Sequence, residues 1–442
     1  MFLFIAAALV AFVAGLLLWS GRTADDEPAT TGSVPTTSPA STSTSTSSAT
    51  TTTSTTTTTI SPVEEALAEM TVEQKAGQVL VSQFSGQPDE AVFDLLRSGA
   101  VGSVFVTGRS GNLTDQQGTT AMIASLQAAA ADNGAGLLVA TDQEGGRVQQ
   151  VDIEGVTPFP PADRYGQIAE TAGLVEAENL TRAAHQVMGT ELNALGFNVD
   201  FAPVADVNVV GNQGAIGNRS FSADPATAAA LTAVAVEGLD TGGVAATAKH
   251  FPGHGSTSVD SHRQLPVVDE TTDVWARSDA LPFEAAIEVD TPLVMIGHLF
   301  YPALDPVPEP RPASLSPAII TDLLRGELGF EGVVVTDDLA AMAPVATLPI
   351  DTLVVDALNA GVDLLLTPAD VVAAHGAIVA AVADGRVAPE TLDAAVARVL
   401  TLKQQLGVLD PDSPPSPPPP EVDAGLVRLV LSNACTAAGT TC

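Results

Sequence analysis

Fourteen consecutive residues, 249–262, read Lys-His-Phe-Pro-Gly-His-Gly-Ser-Thr-Ser-Val-Asp-Ser-His. They hold three of the chain's six histidines and one of its three lysines, and they start where the apolar run 244–248 ends. Pro252, Gly253 and Gly255 forbid regular structure, so rare titratable groups crowd one loop, and loops on rigid scaffolds are where binding and catalytic groups collect. Within it, Asp260 and His262 stand two residues apart, a spacing that turns both side chains the same way on an extended segment. A carboxylate so placed orients and charge-stabilises an imidazole that can both give and take a proton. The bland reading of Asp260-x-His262 is a surface ion pair, and no role is assigned to His254 between the loop's two halves.

Two chemistries suit such a loop when it is joined by Asp337. Metal-assisted hydrolysis would use Asp337, His298 and His250 as ligands. Against it, no His-x-His follows the first apolar run and no HExxH occurs. Glycoside hydrolysis instead needs a nucleophilic carboxylate and a proton donor, about 5–5.5 Å apart in a retaining enzyme. Asp337 fits the first role and the Asp260–His262 pair the second.

The elements that must position these groups are legible as an alternation. Short apolar or β-branched runs occur at 79–84, 101–107, 136–141, 198–204, 244–248, 293–297, 332–336 and 362–367. Segments of helical periodicity lie between them, at 90–98, 119–133, 172–195, 225–241, 281–289, 317–328 and 351–360, with 369–383 and 392–406 following the last run. Thr71-x-x-Gln74 is a capping-box pattern that starts a helix before the first strand. Strands apolar on both faces and separated by helices form a parallel sheet covered on both sides, and eight such units predict an α/β chain with a (β/α)8 TIM-type barrel. A doubly wound open sheet is the alternative. Active sites of such barrels sit at the carboxyl ends of the strands. There stand Asp142-Gln-Glu-Gly-Gly-Arg147 after the third run, Asp206 and Asn208 after the fourth, Lys249-His250 after the fifth, His298 after the sixth and Asp337-Asp338 after the seventh. An Asp after a strand is often only a helix cap; five strand ends together point to a catalytic pocket.

Residues 62–410 resemble glycoside hydrolase family 3, in its single-barrel bacterial β-N-acetylhexosaminidase branch. The resemblance is carried by Met70-Thr-Val-Glu-Gln-Lys-Ala-Gly-Gln78, Asp142-Gln-Glu-Gly-Gly-Arg-Val148, Gly217-Asn-Arg-Ser-Phe-Ser222, Lys249-His-Phe-Pro-Gly-His-Gly255 with Asp260-Ser-His262, and Val335-Thr-Asp-Asp-Leu339. It implies that Asp337 is the nucleophile of a covalent glycosyl-enzyme and that His262, assisted by Asp260, is the acid/base. It also implies sugar-hydroxyl contacts from Asp142, Arg219, Lys249 and His250. The family commonly carries an Arg three residues past Arg147; here stands Gln150, so a weaker or altered substrate contact is expected. No metal or cofactor is implied. Relatives acting as β-glucosidases take their acid from a second α/β domain, for which the Pro-rich linker 411–420 and the tail 421–442 leave no room. The activity so implied is retaining exo-hydrolysis of terminal β-linked N-acetylglucosamine from peptidoglycan-derived fragments. β-Glucosidase or β-xylosidase action, phosphorolysis and a non-catalytic wall-binding barrel are the alternatives.

Composition bounds the setting. With 52 acidic against 17 basic residues the net charge is −35, which argues against nucleic acid or anionic lipid surfaces as partners; a small carbohydrate and a monomeric state are expected. Residues 2–19 are an uncharged apolar run long enough to cross a bilayer, so 1–22 reads as a signal or anchor. Residues 23–61, largely Thr, Ser and Pro, read as a disordered stalk. The catalytic domain is then extracytoplasmic, at the bacterial cell envelope. Cys435 and Cys442 are the only cysteines, a small terminal disulfide closing a docked helix in an oxidising compartment.

Overall fold

In the computed structural model, residues 61–131, 133, 135–211, 214–410 and 423–437 are described. The expected anchor, most of the stalk and the Pro-rich linker lie outside them. Strands fall on seven of the eight apolar runs and overlap the other, the fifth, where the strand is shifted so that Lys249 and His250 lie within it and not after it: β1 (Leu80–Gln83), β2 (Ser103–Phe105), β3 (Leu138–Thr141), β6 (Val199–Asp200), β7 (Thr247–Phe251), β8 (Leu293–Ile296), β9 (Val333–Thr336) and β10 (Leu365–Leu366). A short antiparallel hairpin, β4 (Gln143–Gly145) and β5 (Val148–Gln149), is an element the alternation did not predict.

The long strands pair in parallel in the orders β10-β1-β2-β3-β6 and β7-β8-β9. Isolated parallel bridges at Val199↔Ala245 and Val204↔Lys249 join β6 to the β7 segment, and one at Val335↔Leu364 joins β9 to the β10 segment. The pairing thus passes from one sheet to the other at both seams, in a TIM-like (β/α) arrangement rather than an open doubly wound sheet. Although every strand reads as continuously apolar, its side chains divide with period two. Val81, Phe105, Leu138, Leu293, Met295, Val333 and Val335 meet inside the ring of strands. Their neighbours Leu80, Val104, Val139, Val294 and Val334 join the layer between strands and helices.

The helices arise where capping and periodicity place them. Thr71 Oγ1 accepts from Gln74 N at 3.3 Å and Gln74 Oε1 accepts from Thr71 N at 3.0 Å, capping Val72–Gln78 reciprocally. Segment 317–328 is helical but π-wound over Ala318–Glu327. The tail forms the helix Ala424–Ala437, which docks on Leu174–Leu195 and Asp163–Ala172. Cys435 is disulfide-bonded, and Cys442 lies outside the described residues.

The amino-terminal end of the ring is stoppered by the helix Pro389–Gln405, whose Val399 and Leu402 enter the inner cluster. Beside them Lys403 is fully buried, donating from Nζ to Gln78 Oε1 at 2.6 Å and to the Gly102 carbonyl at 2.9 Å. Burial pushes its ammonium down to about 7. The unfolded chain keeps that proton up to about pH 10. Unfolded protein therefore binds more protons across that window, so this lysine makes stability rise with pH from about 7 to about 10. Lys403→Met should remove that rise. Melting temperatures taken across the window check it, and parallel curves for the two proteins would contradict the assignment.

Candidate active site

A cavity of about 530 Å³ lies at the carboxyl ends of the strands, in the size range of small-molecule sites. Asp142, Gln150, Arg219, Lys249, His250, Asp260, His262 and Asp337 all line it, although they come from segments far apart in the chain.

The β4–β5 hairpin begins directly after β3. Its turn needs Gly146, whose φ is +58° and where a Cβ would come within 2.6 Å of Pro161. Along the extended strand, alternate side chains separate. Gln143 bonds to Val151, accepting from its N at 3.0 Å, and its own backbone N donates to Asp200 Oδ1 at 2.8 Å. Asp142 and Glu144 take the other face and line the cavity.

Glu144 is the hub of the charge arrangement. Arg219 donates to its two oxygens from Nε and Nη2, both at 2.7 Å, and Lys249 Nζ stands 2.6 Å from Oε1. The same ammonium donates to Asp142 Oδ1 at 2.6 Å. Burial would push the Glu144 carboxyl up, but Arg219 and Lys249 outweigh it and hold the group well below the usual carboxylate range. For Lys249, burial opposes the charge, while Asp142 and Glu144 raise its pKa above the ordinary value.

Asp206 organises the next layer. Its Oδ2 accepts from His250 Nδ1 at 2.8 Å, and its Oδ1 accepts from the backbone N of His250 at 3.2 Å and of His254 at 2.6 Å. On the other side of the ring, His250 Nε2 stands 3.4 Å from Arg219 Nη2. Glu144 and Asp206 stand among the polar residues at the strand ends, but the sequence assigned neither of them a role. Glu144 carried a usable signal, being charged and two residues past Asp142 on an extended segment; Asp206 read equally well as a helix cap.

The adjacent aspartates after β9 divide their work. Asp338 Oδ1 accepts from Ala340 N and Ala341 N, each at 2.8 Å, and so closes the turn. Asp337 is buried, and its Oδ1 accepts from Asp338 N at 2.8 Å. Burial again opposes the charge, but His250, His298 and that N–H lower its pKa overall. It is therefore ionised at neutral pH. His262 Nδ1 meets Asp260 Oδ1 at 2.9 Å and its backbone N donates to the same oxygen at 3.0 Å, which leaves Nε2 for proton transfer.

Two of the residues singled out in the sequence also make scaffold contacts. Gln150 lines the cavity but is nearly buried, its Oε1 accepting from the Arg109 backbone N at 3.4 Å, so it braces the neighbouring turn. His298, considered as a metal ligand, is fully buried with Nδ1 against Ser314 Oγ at 2.7 Å. Among the described residues no group of three or more His, Cys, Asp or Glu is arranged to hold a metal.

Removing Glu144 leaves the buried Lys249 and the partly buried Arg219 facing one another, and breaking a buried pair costs about 3–5 kcal/mol. Glu144→Ala should therefore depress the urea midpoint far more than Asp142→Ala, whose side chain is 25% exposed. Equal losses for the two variants would count against Glu144 as the hub.

The glycosyl hydrolase family 3 N terminal domain matches residues 71–402. Beta-hexosaminidase from Stenotrophomonas maltophilia (strain K279a) is 39% identical over 273 residues, covering 62% of this chain and 78% of that protein. Beta-hexosaminidase A from Pseudoalteromonas piscicida is 41% identical over 243 residues, covering 52% of this chain and only 40% of that relative. Among solved structures, a glycoside hydrolase family 3 β-N-acetylglucosaminidase from Paenibacillus sp. str. FPU-7 superposes with a TM-score of 0.74 at 35% identity, over 84% of this chain and 69% of that one. The strand-end motifs, the fold and these likenesses agree, and the chain belongs to glycosyl hydrolase family 3.

Proposed function

We propose that this chain is a retaining exo-β-N-acetylhexosaminidase that removes terminal β-linked N-acetylglucosamine from peptidoglycan-derived fragments at the cell envelope. The carrying observation is that an ionised buried Asp337 and the Asp260–His262 pair line one cavity with a preformed set of hydroxyl-binding groups. The names of its relatives support the sugar class, and the apolar run and Thr/Ser-rich segment at the amino terminus support the location.

In this reading Asp142, Arg219, Lys249 and His250 hold the sugar. Their charges already pair with one another, so they meet the substrate without reorganising. Asp337 attacks the anomeric carbon while His262 Nε2 protonates the departing oxygen. Asp260 stabilises the imidazolium that supplies this proton and that re-forms in the second half. In the second half His262 takes a proton from water, which cleaves the glycosyl–Asp337 ester and restores both groups.

Asp337→Ala should abolish release of an aryl leaving group from its β-N-acetylglucosaminide, and retained turnover would rule out the nucleophile. The wild-type assay run with and without inorganic phosphate separates hydrolysis from phosphorolysis by its products. His262→Ala should slow substrates with poor leaving groups by about 10²–10⁴-fold, the usual share of general acid catalysis. Activated aryl substrates should lose less. Equal losses on both would remove His262 from the acid role.

A further inference from the structure

Between the two members of the Asp260–His262 pair sits a residue of opposite exposure. The Asp260 and His262 side chains are 41% and 60% exposed, whereas Ser261 is 4% exposed. Its Oγ lies 3.2 Å from His254 Nε2 and 3.5 Å from Met342 Sδ. Among the described residues, these two contacts are the hydrogen bonds that tie 257–264 to the rest of the chain; the others in this stretch are internal, such as Val259 N to Thr257 Oγ1 and Arg263 N to the Asp260 carbonyl. Each contact leads to a different part of the cavity. His254 is buried, its backbone N is held by Asp206, and its ring stands edge-on to His250 with centroids 6.0 Å apart. Met342 lies beyond β9, on the loop that carries Asp337.

We propose that Ser261, seated between His254 and Met342, is the peg that positions the Asp260–His262 segment over the cavity, with Ser261 and His254 acting as positioning residues. This rests on the catalytic reading given above. A turn makes the device possible: Arg263 N and Gln264 N donate to the Asp260 carbonyl at 3.0 and 3.3 Å, and residues 261–263 so folded carry the Ser261 side chain inward while Asp260 and His262 stay exposed. With the Ser261 hydroxyl directed at Met342 Sδ, His254 Nε2 donates to Ser261 Oγ, and His254 Nδ1 is the atom left without a protein partner. A neutral ring satisfies this pattern, and burial of His254 favours that form.

The test uses a probe that needs no substrate. Arg263 is 85% exposed at its side chain, so trypsin can report on opening of the loop through cleavage of the Arg263–Gln264 bond, followed by mass spectrometry. Ser261→Ala should speed that cleavage about fivefold, the shift in population expected when one net hydrogen bond is lost. The same variant should lower kcat on a poor-leaving-group substrate by a similar factor with little change in KM, and Ser261→Thr should restore both. Met342→Leu, which keeps the volume and removes the sulfur, should move both readouts in the same direction by less and covers the case of a Ser261→Ala protein that does not fold. Unchanged cleavage in Ser261→Ala and Met342→Leu overturns the peg. Faster cleavage beside a wild-type protein that hydrolyses no N-acetylglucosaminide overturns the catalytic reading instead, and with it the positioning role.

Discussion

A carboxylate buried between two cations holds this cavity together. Glu144 would be costly to bury alone, since an unpaired charge out of water is disfavoured by several kcal/mol. Arg219 and Lys249 make its burial tolerable, and they in turn could not sit there without it. The cluster joins the hairpin after β3, the turn Gly217–Arg219 and strand β7, so three separate strand ends are held in register by one set of charges. Asp142 shares Lys249, and His250 reaches the cluster through Arg219.

Around that hub, neighbouring residues in sequence take divergent parts. Asp338 closes a turn while Asp337 faces the cavity; Gln143 braces the scaffold while Asp142 and Glu144 carry charge; Ser261 is buried while Asp260 and His262 are exposed. The pleat of an extended chain produces the division at 142–144, and tight turns produce it at 260–262 and 337–338. It lets a rigid anchor and a reactive group be adjacent without competing for the same space.

The cavity also departs from the chain's overall charge. Acidic residues outnumber basic ones 52 to 17 in the whole sequence. Yet Arg109, Arg147, Arg219 and Lys249 line the cavity beside Asp142, Glu144, Asp260, Asp337 and Asp338. That near balance suits a neutral, hydroxyl-rich ligand, whereas the acidic exterior repels polyanions.

Much of this was legible in the order of residues. The eight apolar runs, the helices between them and the rare charged groups at strand ends follow from local periodicity, and the capping box at Thr71 formed as its spacing requires. The motifs sufficed to name the family, because residue type and order carry it without coordinates. Tertiary structure decided which polar groups meet. Glu144 and Arg219 are 75 positions apart, Asp142 and Lys249 are 107 apart, and Lys403 finds Gln78 across 325. No local pattern marks such partners. The burial of Ser261 between two exposed neighbours and the bracing role of Gln150 were likewise set by packing, since a polar side chain's partner depends on what the fold brings within about 3 Å of it.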